Sequence, residues 1–288
     1  MTHYPRPSLI ESMGLLPLNE RLRQAAVALR GAEDVPPSRF DYTSLSVLSP
    51  RLALPLWFVG AAVRRKVLLT NLYNHRQTPV EEGWSVRRTQ VQDFRGRTLT
   101  YDSHNGTDLS VPRGTVAVAP APARVARVYA EFNRGGLKVV LDHGEGLLTC
   151  SAHLARALVS EGDRLRTGEP YALTGYSGLD GFVTFPWGVP HIHFNVWLNG
   201  VPVDPFPCGG EKSLWRGGTP LPVPDNPPED SREPTAYDSA SLDAVIAACK
   251  TPSVRERLAG LHSQEKRAQI LISEANYYPT RFPDRRCV

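Results

Sequence analysis

The sequence predicts a mainly β protein: an antiparallel sheet core flanked by a partly helical N-terminal extension and by C-terminal helices. Between about residues 86 and 206 the chain is a succession of short β-branched or aromatic runs broken by glycine, proline and Asp/Asn turns. These runs follow one another too closely for the crossover helices that parallel strands need, so antiparallel pairing is expected. At either end helical periodicity replaces that texture. With 288 residues, the chain is long enough to bury a core without metal or disulfides to hold it.

The expected organisation is an N-terminal extension over 1–85, the sheet domain over 86–214, a proline-rich linker over 215–236 and a helical tail over 237–288. In the extension, residues 18–29 place Leu22, Ala25, Ala26 and Leu29 at helical spacing, with Asn19 as the expected N-cap. Residues 35–50 are proline-rich and turn-like, and 56–73 reads equally as a buried helix or as strands. Within the sheet domain, strands are expected at 116–118, 124–129, 137–141 and 147–150, followed by turns at Glu161-Gly-Asp163 and Arg166-Thr-Gly168. Pro220, Pro222, Pro224, Pro227, Pro228 and Pro234 preclude a regular element in the linker. Beyond them Ser241 opens a helix through Lys250, and Ser253-Val-Arg-Glu256 has capping-box spacing for another ending near Ala275. The terminal extensions offer surfaces for self-association.

Composition excludes several classes of partner. Thirty-three basic against 29 acidic residues give a net charge of +4, and the arginines are scattered without interleaved aromatics, so no nucleic acid is expected. The most apolar stretch, 52–63, is shorter than the roughly 18 residues of a membrane span and runs into Arg64-Arg-Lys66, so no membrane insertion is expected. The first residues lack the basic segment and apolar run of a secretory leader, which makes a cytoplasmic location the expectation, with other export routes left open. Cys150, Cys208, Cys249 and Cys287 are too widely spaced for a metal knuckle.

The chemistry concentrates in two motifs. In His191-Ile-His193, period-two geometry sets both imidazoles on one strand face and sends Ile192, Phe194, Val196 and Leu198 to the opposite, core face. Upstream, His104 and Asp108 stand four residues apart around Gly106, which permits close backbone approach. Singly these are ordinary strand histidines or a turn aspartate beside a surface histidine. Together, His104, Asp108 and His193 form the nitrogen and oxygen donor set of a catalytic zinc with one open position.

In combination these motifs resemble the M23 family of zinc metallopeptidases, the lysostaphin- and LytM-like group. Its HxGxD motif is matched by His104-Asn-Gly-Thr-Asp108 and its HxH motif by His191-Ile-His193. The segment from Asp142 to His153-Leu154 resembles the one that ends in the family's catalytic His-Leu, and 161–168 the glycine turns that follow. The resemblance covers roughly residues 95–206. It implies a largely antiparallel sheet core, a single zinc held by His104, Asp108 and His193, and a catalytic pair, His153 and His191, beside the metal-bound water and the developing oxyanion. The implied substrate is a peptide or peptidoglycan-like bond, or a small amide. Imidazoles suit those roles because a neutral ring accepts a proton and a charged one donates or stabilises an oxyanion near neutral pH.

The remaining histidines and acids carry less. His143 is expected to be structural, and His3, His75 and His262 have no supporting pattern. Asp180 and Asp204 read either as carboxylates orienting an imidazole or as turn residues. Against a simple helix-cap reading of His153 stands only the motif.

Three departures from the family pattern favour alternatives. Ser151 occupies a position where members often carry a tyrosine, leaving that phenol to be supplied elsewhere, with Tyr176 as one source. The segment 178–190, with Phe182, Phe185 and Trp187, is longer than usual and is expected to narrow the groove beside the metal. No targeting segment or wall-binding repeat is visible. These points support a zinc enzyme turned to a small biosynthetic metabolite as one alternative, and a catalytically silent, zinc-stabilised binding module as another.

Overall fold

The computed structural model describes residues 4–209 except 33, 34, 60–66, 77 and 79–81, together with 240, 243, 246, 247, 256 and 258–261. The chain opens with α1 (Leu9–Met13) and α2 (Leu18–Arg30), a 3₁₀ turn (Tyr42–Val47), and α3 (Pro50–Leu54) running into a π turn (Pro55–Val59). The strands are β1 (Leu68–Asn71), β2 (Thr107–Ser110), β3 (Val116–Val118), β4 (Ala123–Glu131), β5 (Gly136–Asp142), β6 (Leu147–Ala157), β7 (Arg164–Leu165), β8 (Pro170–Thr174), β9 (His191–Leu198) and β10 (Val201–Val203). One helix, α4 (Leu179–Thr184), interrupts them between β8 and β9.

The strands build one antiparallel sheet in the order β1-β2-β9-β6-β5-β4-β7, with β10 on β9 and β8 joining β6 to β3. Its centre is the pairing of β6 with β9, which runs from Leu147 opposite Leu198 to Ala152 opposite His193. On the other side of β9, β2 sets Asp108 opposite His193 and Ser110 opposite His191. Ile192 and Phe194 turn to the opposite face, where they join Leu109, Val139, Leu141 and Leu154 in the core. That alternation is the one expected for a strand with one apolar face.

Several local expectations are corrected. The strand expected at 147–150 continues to Ala157, so His153 lies within β6 and does not cap a helix. Leu154 explains the extension: it is fully buried and pairs with Leu137 of β5 and Thr174 of β8. His153 itself has φ 60°, and the ladder shifts register on both sides of it. The helix expected at 18–29 is present, but Pro17 is the residue before it and Asn19 lies inside. Leu22 and Leu29 are exposed, because α2 docks through the small residues Ala25 and Ala28 against Phe132 and Leu179. The ambiguous 56–73 stretch divides between the π turn and β1, which places sheet structure upstream of residue 86.

In the tail, Ala240, Asp243, Ile246 and Ala247 are helical, as are Glu256, Leu258 and Ala259. The proline-rich linker and the rest of the tail lie outside the described residues. Among the described residues, no helix is long and apolar enough to cross a membrane.

Candidate metal centre

The β2–β9 pairing brings the two sequence motifs together. Asp108 Oδ1 lies 2.8 Å from His193 Nδ1 and 3.0 Å from His104 Nε2, and the two ring nitrogens are 3.1 Å apart. All three side chains are buried. The outer nitrogen of each ring is bound elsewhere: His104 Nδ1–H donates to the Leu72 carbonyl at 2.7 Å, and His193 Nε2–H donates to Asn105 Oδ1 at 3.1 Å. These bonds occupy the outer nitrogens and leave His104 Nε2 and His193 Nδ1 as the ring atoms that face the carboxylate oxygen.

This arrangement fits a divalent cation. Two ring nitrogens and a carboxylate oxygen converge on one point, where a buried carboxylate needs positive charge to balance it, and this nitrogen and oxygen donor set is one that zinc takes. Burial pushes His193 down to about 4, a tendency the Asp108 carboxylate only partly offsets, so the ring is neutral and ready to ligate at neutral pH. For Asp108, burial favours the neutral acid, but His104, His191 and His193 outweigh it and hold the carboxyl well below the usual carboxylate range. His104, Asp108 and His193 are therefore the residues that would hold a single zinc.

A surrounding layer orients these ligands, and sequence reasoning missed it. Asn195 Nδ2 donates to both the Asn105 carbonyl and Asn105 Oδ1, at 2.7 and 3.0 Å, and so fixes the acceptor on which His193 leans. Asn71, from β1, donates to Asp108 Oδ2 at 2.8 Å. Asn195 had a usable signal, since it is two residues beyond His193 on the same strand face. Leu72 had none, because its backbone carbonyl is reached across 32 residues. Gly106 is packed so closely that a Cβ there would sit 2.8 Å from His193 Nε2 and 2.7 Å from the Phe194 carbonyl.

His153 and His191 meet beside this cluster, with ring centroids 4.7 Å apart. His191 Nδ1–H donates to the Val189 carbonyl at 2.7 Å, and its Nε2 comes within 3.6 Å of Asp108 Oδ1. His153 Nδ1–H donates to the Ser177 carbonyl at 2.8 Å. Burial, reinforced by neighbouring His191, holds His153 well below the ordinary histidine range. Tyr176 packs its ring edge-on against both, with centroids 5.0 Å from His153 and 4.7 Å from His191, while Tyr101 tilts against His104 at 4.5 Å.

Other expected residues fall elsewhere. Ser151 faces the core side and shares a buried 2.7 Å hydrogen bond with the Tyr171 hydroxyl, so it does not look into the cleft. Tyr176 does line the cleft, but burial raises its phenol far above the usual range and its hydroxyl bonds to Thr184. His143 bonds to the Pro122 carbonyl and Thr149 Oγ1, away from the centre, as a structural residue. Asp204 accepts from the Phe206 N–H as a turn residue and also pairs with an imidazole, that of His75 at 2.6 Å, which is not one of the metal-site histidines. Asp180 lies in the first turn of α4, where burial raises its carboxyl pKa against the pull of Arg134. Of the aromatic segment, Phe185 folds back onto Trp57 and Phe58, and Phe182 and Trp187 remain half-exposed.

Comparison with known proteins agrees with this geometry. Residues 102–205 match Peptidase family M23. An uncharacterized metalloprotease of Haemophilus influenzae is 35% identical over 103 residues, 36% of this chain and 20% of that protein. The murein hydrolase activator EnvC of Escherichia coli is 35% identical over 128 residues, and the peptidoglycan DD-endopeptidase ShyA of Vibrio cholerae 32% identical over 127. Each of these two alignments spans 44% of this chain and 28% of the relative. The chain thus covers under a third of the length of these curated relatives. A solved structure described as a putative peptidase M23 from Pseudomonas aeruginosa is 34% identical, with a TM-score of 0.31 over 35% of this chain and 41% of that one. Over residues 102–205, the chain carries an M23-family metallopeptidase fold with His104, Asp108 and His193 as its His/Asp/His metal-binding triad.

Proposed function

We propose that this protein is a zinc-dependent metallopeptidase that hydrolyses peptide bonds in peptidoglycan-related substrates. The observation that carries the reading is the meeting of five residues: the triad His104, Asp108 and His193, and the pair His153 and His191 beside it with their Nδ1 atoms tied to backbone carbonyls. Bound zinc would polarise a scissile carbonyl and make water a stronger acid. With Nδ1 tied to a backbone carbonyl, His153 and His191, the proposed catalytic pair, each keep Nε2 as the nitrogen available to a reacting group. A neutral ring of this kind accepts a proton at Nε2 from the attacking water and returns it from the same atom to the leaving nitrogen. As an imidazolium it also opposes negative charge on the carbonyl oxygen.

The names of relatives support the substrate class. They include peptidoglycan DD-endopeptidases and a murein hydrolase activator. Both imidazoles of the pair accompany the triad here, which favours hydrolysis over a silent binding role. Phe182 and Trp187 are half-exposed, unlike the buried aromatic walls of a closed pocket, which weighs against a small-metabolite site.

The test is digestion of purified peptidoglycan by the zinc-loaded chain, with released muropeptides identified by mass spectrometry. Wild type should open peptide bonds, and His153→Ala should keep its zinc while losing about 10²- to 10⁴-fold in turnover, the usual worth of a positioned proton carrier. Wild-type turnover in His153→Ala would refute the assignment. Cell fractionation decides between a cytoplasmic placement and one at the wall, and sedimentation tests the proposed self-association through the terminal extensions.

A further inference from the structure

We infer that the N-terminal segment from Pro7 to Gly14 is a positioning element for His153, lying outside the M23-matched region yet acting on its proposed chemistry. This inference rests on the proposed role of His153 in turnover.

The segment 175–178 lies between the N-terminal segment and His153. On one side, the Tyr176 and Gly178 N–H groups donate to the carbonyls of Ser12 and Met13, at 2.9 and 3.1 Å. On the other, the intervening Ser177 accepts from His153 Nδ1–H at 2.8 Å and donates its own N–H toward the His153 carbonyl at 3.4 Å. The N–H groups of 176 and 178 thus face the N-terminal segment while both backbone groups of Ser177 face His153, so what holds 176 and 178 also sets the direction of the Ser177 carbonyl. That carbonyl fixes the tautomer and tilt of the His153 ring. Besides the packing of the Tyr176 and His191 rings, that carbonyl is the hydrogen-bond partner that sets the ring's orientation, at a position where φ 60° departs from regular strand geometry.

The N-terminal segment is itself well anchored. Ser8 caps α1 by accepting from the Glu11 N–H at 3.2 Å. Glu11 forms a two-pronged ion pair with Arg156, three residues from His153, at 2.6 and 2.9 Å. Arg113 reaches the Pro7 carbonyl, and Met13 packs with Tyr176 and Trp57. At the point of closest approach Gly14 has φ 65°, and a Cβ there would sit 2.9 Å from Ser177 Cβ. Glycine is what lets the segment close against Ser177.

A purely structural segment and a positioning one differ in what they change. Loss of a structural brace lowers stability and the folded fraction. Loss of positioning lowers kcat in molecules that remain folded and metal-loaded, with KM little changed, because misplacing a reacting group acts on the chemical step.

The experiment compares the zinc-loaded full chain with Gly14→Ala, which presses on Ser177, and with Leu165→Ala, a core truncation in β7 at the far end of the sheet. Measured well below each melting temperature, Gly14→Ala should keep one zinc and a KM within about twofold while kcat falls about ten- to a hundredfold. The imidazole N–H resonance of His153 should shift or broaden in the same variant. Leu165→Ala, despite a lower melting temperature, should keep both kcat and the resonance. Unchanged kcat and resonance in Gly14→Ala, or an equal loss in Leu165→Ala, overturns the inference. Should Gly14→Ala not fold, Glu11→Ala carries the same comparison, with rescue expected when Glu11→Arg is combined with Arg156→Glu. If wild type shows no turnover, the functional reading fails separately, and the His153 resonance alone decides whether the segment positions the ring.

Discussion

The division of labour between His191 and His193 depends on which nitrogen each ring has left to offer. His193 spends Nε2 on Asn105 and presents Nδ1 to Asp108, whereas His191 spends Nδ1 on Val189 and presents Nε2. Two residues apart on one strand, the same side chain thus becomes a ligand in one case and a proposed proton carrier in the other. The difference is set by neighbours, so the neighbours are testable. Asn105→Ala removes the acceptor that holds His193 in its ligating tautomer, and zinc affinity should fall about 10- to 100-fold, as for other partners that orient a metal ligand. Competition with a fluorescent chelator measures this, and affinity equal to wild type would show that Asn105 does not orient the ring. The triad was legible in the sequence because HxGxD and HxH are local patterns, and His153 entered only through the segment ending in His153-Leu154, which the structure brings beside His191. The orienting carbonyls of Leu72 and Ser177 were not, because backbone acceptors leave no residue-type signature.

Among the elements, the loop before β2 transmits order to the metal centre from a carboxylate well away from it. Asp93 Oδ1 accepts from the Arg95 and Arg97 N–H groups at 2.9 and 3.1 Å, and Oδ2 from Arg95 Nη2 at 2.6 Å and the Leu99 N–H at 3.3 Å. The Leu99 carbonyl then accepts from Leu72 N–H at 2.7 Å, and Leu72 in turn holds His104. Burial raises the Asp93 pKa, but these donors outweigh it and lower the carboxyl from 3.8 to about 2. Because the folded value lies below the ordinary one, this stabilisation is fully present above 3.8 and is lost as the pH falls through about 2. Asp93→Asn should therefore cost on the order of 1–2 kcal/mol at neutral pH, since five N–H groups, the Arg95 Nε–H among them, lose a charged acceptor. Its deficit relative to wild type should close as the pH approaches 2. Calorimetry across that range checks the sign, and a deficit that widens in acid would contradict it. The expected sheet domain began at residue 86 but its expected strands began at 116, and the sequence could not indicate this loop, whose geometry comes from one side chain gathering several backbone N–H groups.

At the scale of the molecule, the M23-like sheet and the N-terminal extension form one packed unit. The sheet class followed from short β-branched runs between turns, and the registry of β2 on β9 confirms that Asp108 and His193 are neighbours across 85 residues. The extension was harder to read: α2 repeats leucines at helical spacing, yet docks through alanines and leaves Leu22 and Leu29 exposed. Apolar periodicity identified the helix without identifying its buried face, because a close approach to Phe132 favours the smaller side chains. Likewise the aromatic segment 178–190 was expected to narrow the groove, but Phe185 packs instead against Trp57 and Phe58.

The central claim is that hydrolysis depends on one zinc held by His104, Asp108 and His193. The most direct measurement is a zinc titration of the chelator-stripped full chain, following bound metal and peptide-bond cleavage in purified peptidoglycan together. One equivalent of zinc should restore cleavage in wild type, while His193→Ala should bind less than a tenth as tightly, by about the measure of a lost ligand-orienting contact or more, and stay inactive at that dose. Cleavage by the metal-free chain, or wild-type zinc binding and cleavage in His193→Ala, would contradict the account.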